Sequence, residues 1–136
     1  MTPTSKKYNP KYAISLIKIA EGDLLSARAL AKAKAKEGRP ENICFILQQS
    51  VEKSINAVLC HHGRAIPFTH DLVALCSILP DSISLPGKAA AVEGLSEYAT
   101  VRRYEEGFVE ITQQEVVGAL KTAEYFLSWA KKIIGQ

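Results

Sequence analysis

The chain has 136 residues, of which 47% are hydrophobic and 23% are charged, and its formal net charge is +3. This length and balance predict one globular domain over residues 1–136, with its core over about 10–134, and exclude low-complexity and fibrous classes. No apolar run reaches the about 18 to 20 residues of a membrane span, and the polar N-terminal segment lacks a signal-peptide core. We therefore expect a cytoplasmic protein without a membrane partner.

Apolar residues at helical spacing predict two long helices in the first half of the chain. The first covers about residues 11–37 and is expected to end at Gly38 in the manner of a C′ glycine. The second covers about 40–62, opens with Pro40 and closes at Gly63. Its apolar residues cover most of its circumference, so we expect it to be the central helix. The inward face of the first helix consists of Ala13, Leu16, Ile17, Ala20, Leu24, Ala27 and Ala31.

Two further helices are predicted between the second helix and the last one. Thr69 is expected to cap a short helix that ends before Pro80, with Asp71 in its first turn. A loop over 80–86 follows, and a longer helix is expected to open at residue 86 or 87 and to run to about residue 103. The inward side of this longer helix is predicted to consist of Ala91, Leu95, Tyr98 and Val101.

The last helix has the clearest amphipathic pattern in the chain. It follows a predicted loop over 104–111 and opens with the capping-box sequence of Thr112 and Glu115. Its apolar stripe consists of Val116, Ala119, Leu120, Ala123, Phe126, Leu127, Ala130, Ile133 and Ile134. Because no stretch alternates with period two, we predict an all-α fold, an up-and-down four-helix bundle with an additional short helix.

Polar side chains on the central helix are the main candidates for a functional site. Gln49, Glu52, Lys53 and Asn56 share one stripe of this otherwise apolar helix. If the stripe faces neighbouring helices, its polar groups need partners, because an unpaired buried polar group costs about 1–3 kcal/mol. We expect these partners to be His70, Asp71 and Arg103, or a bound ligand. The alternative interpretation is structural, with the same side chains capping, bridging or facing water.

The chain has no motif of a common catalytic class and no predicted cofactor. A glycine-rich phosphate loop, a GxSxG elbow and an HExxH pair are all missing from the sequence. Cys44 and Cys76 lie among apolar residues and are interpreted as core side chains. Cys60, His61 and His62 lack the spacing of metal ligands on one helical face, so no metal site is predicted. The basic residues of 32–39 are interpreted as a solvated helix end, with phosphate or RNA contact as the alternative.

Five sequence features in a fixed order carry a resemblance to a known family. They are Asp23-Leu24-x-x-Ala27, then Phe45-x-x-Gln48-Gln49-x-x-Glu52-Lys53-x-x-x-Ala57-x-Leu59, then Thr69-His70-Asp71-Leu72, then Arg103-Tyr104, and a final alanine-rich helix with a threonine cap. Over about residues 10–134 this pattern resembles the HEPN domain (higher eukaryotes and prokaryotes nucleotide-binding).

The resemblance implies a bundle of four to five helices, commonly a homodimer, and often encoded beside a small nucleotidyltransferase. It also implies similarity to the helical half of aminoglycoside nucleotidyltransferases. Many members of the family are metal-independent ribonucleases of toxin–antitoxin or defence systems, with an Arg-x4–6-His motif at a dimer cleft. The functional residues that the resemblance implies are Gln49, Glu52, Lys53, His70, Asp71, Arg103 and Tyr104.

The chain departs from the ribonuclease pattern after Arg102 and Arg103. No histidine follows either arginine at a distance of four to six residues, and His70 is the substitute that the sequence offers. Glu105 and Glu110, together with Glu106, would repel an RNA backbone near these arginines. This departure speaks against ribonuclease activity of the chain on its own.

The favoured hypothesis is a dimeric module that binds a nucleotide or docks a separate nucleotidyltransferase. Arg103 would form paired hydrogen bonds with a phosphate or carboxylate, and Tyr104 would stack on a base or ribose. Lys53 would add a point charge, and Gln49 with Asn56 would read polar edges. The complete predicted ligand-binding set is Gln49, Glu52, Lys53, Asn56, His70, Asp71, Arg103 and Tyr104.

Within this hypothesis, Glu52 and Asp71 would hold Arg103 and His70 in position. The second hypothesis is a ribonuclease toxin in which Arg103 and His70 are the catalytic candidates, with RNA as the ligand. In the third hypothesis, the same polar side chains form a satisfied network that fixes helix register and a dimer interface.

Overall fold

The computed structural model describes residues 3–32, 38–86, 91–105 and 108–136 of the chain. Its elements are β1 (Ser5–Lys6), α1 (Tyr12–Lys32), α2 (Pro40–His61), β2 (Ile66–Pro67), α3 (Leu72–Ser77), α4 (Val92–Ser96), a 3₁₀ turn (Glu97–Ala99), α5 (Val101–Tyr104) and α6 (Gln113–Ile134). The predicted all-α class is confirmed. None of the helices in the described ranges is long and apolar enough to cross a membrane.

The three long helices α1, α2 and α6 pack on one another and form the core. As predicted, α2 is the central helix, and most of its residues are buried around its whole circumference. Ser50 donates a hydrogen bond from Oγ to the Ala20 carbonyl at 2.8 Å, which ties α2 to α1 where small side chains allow close approach. The predicted inward face of α1 is buried from Ala13 to Ala27, as its helical spacing requires.

Local sequence explains where the long helices begin and end. Pro40 opens α2, where its missing N–H leaves no internal hydrogen bond unmade, and Gly63 follows α2 with a φ of +71°. Thr112 and Glu115 form the predicted capping box at the start of α6. Gly135 ends α6 with a φ of +80°, and the amides of residues 135 and 136 bind the carbonyls of Lys132 and Lys131 in the Schellman pattern. The predicted end of α1 over 33–37 lies outside the described residues.

The fourth side of the bundle is built from short pieces that pack against α2. The predicted continuous helix up to residue 103 is wrong in the described residues, because the backbone turns away from helical geometry at Thr100, with φ −126° and ψ −100°. This break changes the helical phase. Leu95 is buried as predicted and so is Tyr98, but Val101 is 52% exposed. Ala91 is also exposed, and its neighbour Val92 is buried in its place.

The segment between α2 and α3 differs from the predicted one in two ways. The N-cap of α3 is Asp71 and not Thr69, since Asp71 Oδ1 accepts from the Val73 and Ala74 amides at 3.0 and 3.2 Å. In addition, β1 pairs antiparallel with β2, with Ser5 opposite Pro67. Two-residue strands are too short to produce an alternating pattern, so the sequence did not predict them. The pair holds the N-terminal segment beside the polar face of α2.

Candidate ligand-binding site

Buried polar side chains run along one face of α2. Gln48 is fully buried, and Glu52 and Asn56, which follow at intervals of one helical turn, are 6% and 8% exposed. A buried amide or carboxylate is costly unless it is hydrogen-bonded. The contacts of these three side chains therefore decide what the face does.

Glu52 is the acceptor on which the cluster converges. Its Oε1 accepts from His70 Nδ1 at 2.8 Å and from Gln48 Nε2 at 3.3 Å, and its Oε2 accepts from Lys53 Nζ at 3.3 Å. Because an ionised carboxylate only accepts, the His70 proton in this contact is on Nδ1. His70 Nε2 has no hydrogen-bond partner among the described residues, and the side chain is 55% exposed.

Further hydrogen bonds fix the position of Lys53 and of the loop before α3. Gln48 Nε2 also donates to the His70 carbonyl at 3.1 Å, and Gln49 Nε2 donates to Gln48 Oε1 at 2.6 Å. Lys53 Nζ donates to Gln49 Oε1 at 3.3 Å. Asp23 of α1 is close enough to Lys53 to be affected by its charge: burial raises the pKa of Asp23, and Lys53 acts in the opposite direction. The Lys53 ammonium is therefore held by two side-chain oxygen atoms, those of Glu52 and Gln49.

A cavity of about 360 Å³ opens beside this cluster. Four of the predicted ligand-binding residues, Glu52, Lys53, Asn56 and His70, line it. Asn56 Oδ1 is buried and has no hydrogen-bond partner in the part of the chain that the structure describes. Gln49 reaches the cavity only through its hydrogen bond to Lys53.

The sequence did not predict the aromatic and loop side of this cavity. Tyr8 and Tyr12 stack with their ring centroids 5.0 Å apart, and both line the cavity. Phe68, which is 57% exposed, and Thr69 line it from the loop after β2. The spacing of Tyr8 and Tyr12 by four residues was visible in the sequence, but only the pairing of β1 with β2 brings that segment to α2.

Asp71, Arg103 and Tyr104 do not join the cavity. The Arg103 guanidinium lies 4.2 Å from the centroid of the Phe45 ring, and the Tyr104 side chain is 91% exposed. Asp71 binds the first amides of α3. The expected convergence is therefore partial: Glu52 holds His70, whereas the interaction of Arg103 is with an aromatic ring and not with a carboxylate of the cluster.

The cysteines and the remaining histidines are not arranged as a metal site. No group of three His, Cys, Asp or Glu residues in the described ranges is placed to hold a metal ion. Cys60 is buried and donates from Sγ to the Asn9 carbonyl at 3.3 Å, whereas His61 is exposed. Burial, together with the negative charge of Glu115, raises the pKa of the Cys44 thiol to about 12. Burial also raises the pKa of Cys76, to about 11.

Two comparisons with known proteins gave a match. The model of the HEPN domain family matches residues 13–133. Among solved structures, the chain is similar to TT1696 from Thermus thermophilus, with a TM-score of 0.76 and 21% sequence identity over 90% of this chain and 98% of that chain. At this identity the likeness concerns the fold alone. No curated protein matches the chain.

Proposed function

This chain belongs to the HEPN domain family, and we propose that it is a nucleotide-binding helical module whose ligand lies in the cavity beside Glu52, Lys53, Asn56 and His70. The observation that carries this proposal is that Asn56, whose buried Oδ1 has no partner among the described residues, lines a cavity together with a cation and aromatic rings. A ligand that enters this cavity would supply the missing donor.

The Asn56 amide suits the edge of a nucleobase. Its oxygen accepts from an amino or imino group, and its nitrogen donates to a ring nitrogen or keto oxygen, as asparagine does in pairing with bases elsewhere. In the free protein, the unpaired Asn56 Oδ1 carries a free-energy penalty. A base that donates a hydrogen bond to this oxygen removes the penalty, and the gain contributes to affinity. An amide at a cavity wall therefore supports a heterocyclic ligand over a purely apolar one.

Lys53 and His70 provide the positive end of the proposed site. Lys53 Nζ is held by Glu52 and Gln49, which leaves its remaining donor for a phosphate oxygen. His70 is oriented through Nδ1 by Glu52, so its Nε2 side faces outward, and a protonated ring would donate from Nε2 to the same phosphate.

The aromatic side chains provide the stacking surface. Tyr8 and Tyr12 already stack on each other, and Phe68 presents an exposed ring at the same cavity. Base–aromatic stacking contributes about 1–3 kcal/mol per base in proteins that bind single-stranded nucleic acids. The volume of about 360 Å³ lies within the usual range of small-molecule sites, about 300–1,000 Å³.

Calorimetric titration with ATP, GTP, CTP and UTP tests the proposal. We expect Asn56→Ala to lower the affinity for the preferred nucleotide at least about tenfold. Asn42→Ala, on the same helix but outside the cavity lining, is expected to leave this affinity unchanged. We also expect the melting temperature of Asn56→Ala to equal or exceed that of the wild type, because the variant removes an unpaired buried group. Folded protein that gives no heat with any nucleotide at millimolar concentration would overturn the proposal.

A second pair of variants tests whether the His70 imidazole contributes to nucleotide binding or whether the loss of any histidine has the same effect. His70→Ala is expected to weaken nucleotide binding, whereas His61→Ala is the matched control on the exposed end of α2. Equal nucleotide affinities of the two variants would remove His70 from the site.

Ribonuclease activity is the second candidate function, and the contact between Glu52 and His70 favours it. A carboxylate that binds one imidazole nitrogen and leaves the other free is the arrangement of a general base in hydrolytic sites. Incubation with total RNA tests it alongside the variants His70→Ala and Arg103→Ala. Loss of cleavage in His70→Ala supports this function, and cleavage that both variants retain indicates a contaminating enzyme.

The partners of the module belong to the same proposal. A homodimer is supported by large apolar side chains that are exposed near α5 and α6. These are Val101, Tyr104, Phe108, Val109, Val117 and Tyr125. A docked nucleotidyltransferase is the second proposed partner, in a toxin–antitoxin or defence system. Co-purification with a nucleotidyltransferase encoded beside this chain tests that partner, and failure to form a complex with folded components contradicts it.

A further inference from the structure

A second cavity of about 420 Å³ lies between α4, the 3₁₀ turn and α6. None of the described residues lines both cavities. Its walls combine apolar side chains, including Leu95 and Ala119, with the charged side chains of Arg102 and Lys121. This cavity lies apart from the proposed nucleotide site, and its lining residues have no role in the proposed binding of a nucleotide.

Two glycines inside helices leave the space open. Gly94 of α4 and Gly118 of α6 both line the cavity, and a Cβ added to either would meet no atom within 4 Å. Glycine destabilises a helix interior relative to alanine, and close packing against a neighbouring element is the usual compensation. That compensation is missing at both positions. Gly22 of α1 has equally open surroundings but lines neither cavity, which makes it a matched control.

Arg102 lines the same cavity and carries a donor without a partner among the described residues. Its Nη1 donates to Glu115 Oε1 at 3.1 Å, and its guanidinium carbon lies 5.4 Å from the centroid of the Tyr98 ring. Its Nη2 is buried and has no acceptor among the described residues. The guanidinium is therefore fixed in place with one donor group unpaired.

Glu115 binds Arg102 through Nη1 and does not accept from Nη2. Its Oε1 also accepts from the Tyr98 hydroxyl at 3.0 Å, and its Oε2 accepts from the Thr112 amide at 2.9 Å. Burial opposes the negative charge of Glu115, but the hydrogen bonds from Thr112, Arg102 and Tyr98 outweigh it and hold the pKa of this carboxyl below its usual value. None of the described residues supplies an acceptor for Arg102 Nη2.

The charges around the cavity limit what that acceptor is. Lys121 adds a second cation, whereas Glu97 and Glu115 are carboxylates that disfavour a polyanion. A ligand with a single negative charge and an apolar body matches both conditions and also the apolar wall. A nucleoside polyphosphate does not.

We propose that this second cavity binds a small monocarboxylate, whose oxygen accepts from Arg102 Nη2 and whose apolar body lies against Leu95 and Ala119 in the space that Gly94 and Gly118 leave open. Inorganic or organic polyphosphates are not its ligands. This site acts independently of nucleotide binding at the first cavity.

Amide chemical shifts of the full-length protein in titrations with hexanoate and with hexanol test the proposal. We expect hexanoate to shift the Gly94 and Gly118 amides with saturation, and hexanol to bind at least about tenfold more weakly because it lacks the carboxylate. Gly118→Leu fills the cavity and is expected to weaken hexanoate at least about tenfold, whereas Gly22→Leu, an equally open helical glycine, leaves the affinity unchanged.

Three results would overturn the site: no saturable shift with hexanoate, equal affinity for hexanoate and hexanol, or unchanged hexanoate affinity in folded Gly118→Leu. A fourth comes from light scattering. If Gly118→Leu is a monomer where the wild type is a dimer, a side chain of the second copy occupies the cavity and the monocarboxylate proposal fails. Titration of Gly118→Leu with nucleotides measures binding at the first cavity separately, so that a failure of one proposal can be told from a failure of the other.

Discussion

Glu52 and Asn56 are buried polar residues on the same face of α2, but their surroundings differ. Glu52 accepts hydrogen bonds from three side chains, whereas the Asn56 carbonyl oxygen accepts none from the described residues. A buried carboxylate such as that of Glu52 needs hydrogen bonds for the fold to be stable. The unpaired oxygen of Asn56 lowers the stability of the fold, so stability does not explain its presence. We therefore assign Glu52 a positioning role and Asn56 a ligand-contacting role in the proposed site.

Replacing Glu52 tests this assignment at the level of stability. Glu52→Ala is expected to lower the free energy of unfolding by about 2–4 kcal/mol, because it removes one acceptor from the buried Gln48 amide and one from the partly buried Lys53 ammonium. Glu124→Ala, which breaks an exposed ion pair with Arg28, is the control and is expected to cost less than about 1 kcal/mol. Urea unfolding at neutral pH measures both. Equal losses would show that the Glu52 contacts contribute no more than a surface ion pair.

At the scale of elements, the first turn of α6 combines helix capping with a tertiary contact. Glu115 completes the capping box with Thr112, and the same carboxylate binds Arg102 and Tyr98 of the segmented fourth side. One side chain therefore fixes both the start of α6 and the position of the segment packed beside it. The capping box was predictable from four consecutive residues, but the contact with Arg102 was not.

The lowered pKa of Glu115 gives this contact a defined pH dependence. A carboxyl whose pKa is lower in the folded state than its usual 4.5 contributes stability above that value, and the contribution is lost as the pH falls through the lowered pKa. We expect Glu115→Gln to destabilise the protein by about 1 kcal/mol at neutral pH. The difference in the free energy of unfolding between Glu115→Gln and the wild type should shrink steadily as the pH falls below the usual pKa of a glutamate. Urea unfolding across this range measures it, and a difference that stays constant with pH would contradict the assignment.

The short β1–β2 pair is the element that completes the first cavity. It brings Tyr8 to the polar face of α2, and the Phe68 amide donates to the Thr4 carbonyl at 3.0 Å. Since this hydrogen bond sets the alternation of the ladder, Lys6 is at a hydrogen-bonded position and Ser5 is not.

Lys6→Pro tests the importance of the strand pair for binding. Proline removes the backbone donor of Lys6, so we expect nucleotide affinity to fall at least about tenfold while helix content by circular dichroism is unchanged. Ser5→Pro is the matched control, because its N–H points away from the partner strand, and it is expected to bind as the wild type does. Unchanged affinity in Lys6→Pro would mean that the N-terminal segment does not form part of the site.

At the scale of the whole molecule, the central helix is covered within one chain. α1, α6 and the segmented fourth side enclose α2, so its apolar circumference does not itself require a second copy. The support for a homodimer lies elsewhere, in the exposed side chains that follow the break at Thr100 and on the outer face of α6. Tyr104 and Phe108 are 91% and 88% exposed, and Val117 and Tyr125 are 42% and 50% exposed.

Light scattering of the wild type and two double variants tests the dimer and locates its interface. We expect the wild type to have twice the 14.9 kDa mass of the chain, because large exposed apolar surfaces favour a self-complementary interface. Tyr104→Ser with Phe108→Ser is expected to give a monomer, and Val117→Ser with Tyr125→Ser serves as the comparison. A wild type that is monomeric at all accessible concentrations contradicts the homodimer.

Much of this molecule follows from local pattern. Helical spacing, Pro40, the capping box and Gly63 predicted the long helices and the central place of α2, because these signals act within a few residues of one another. The same spacing identified Glu52, Lys53 and Asn56 as a polar stripe, and the need of buried charges for partners identified His70. Single-domain organisation, the ligand-binding set and cytoplasmic location stay predictions.

Long-range contact decided the remainder. The contact of the Arg103 guanidinium with the Phe45 ring, the closure of the first cavity by Tyr8 and the pairing of Arg102 with Glu115 each join residues that are distant in sequence. No local pattern encodes such pairs, because their energy depends on which surfaces the packed helices bring together. The open space beside Gly94 and Gly118 belongs to the same class: a missing side chain is visible in the sequence, but the volume it leaves exists only between elements that have packed.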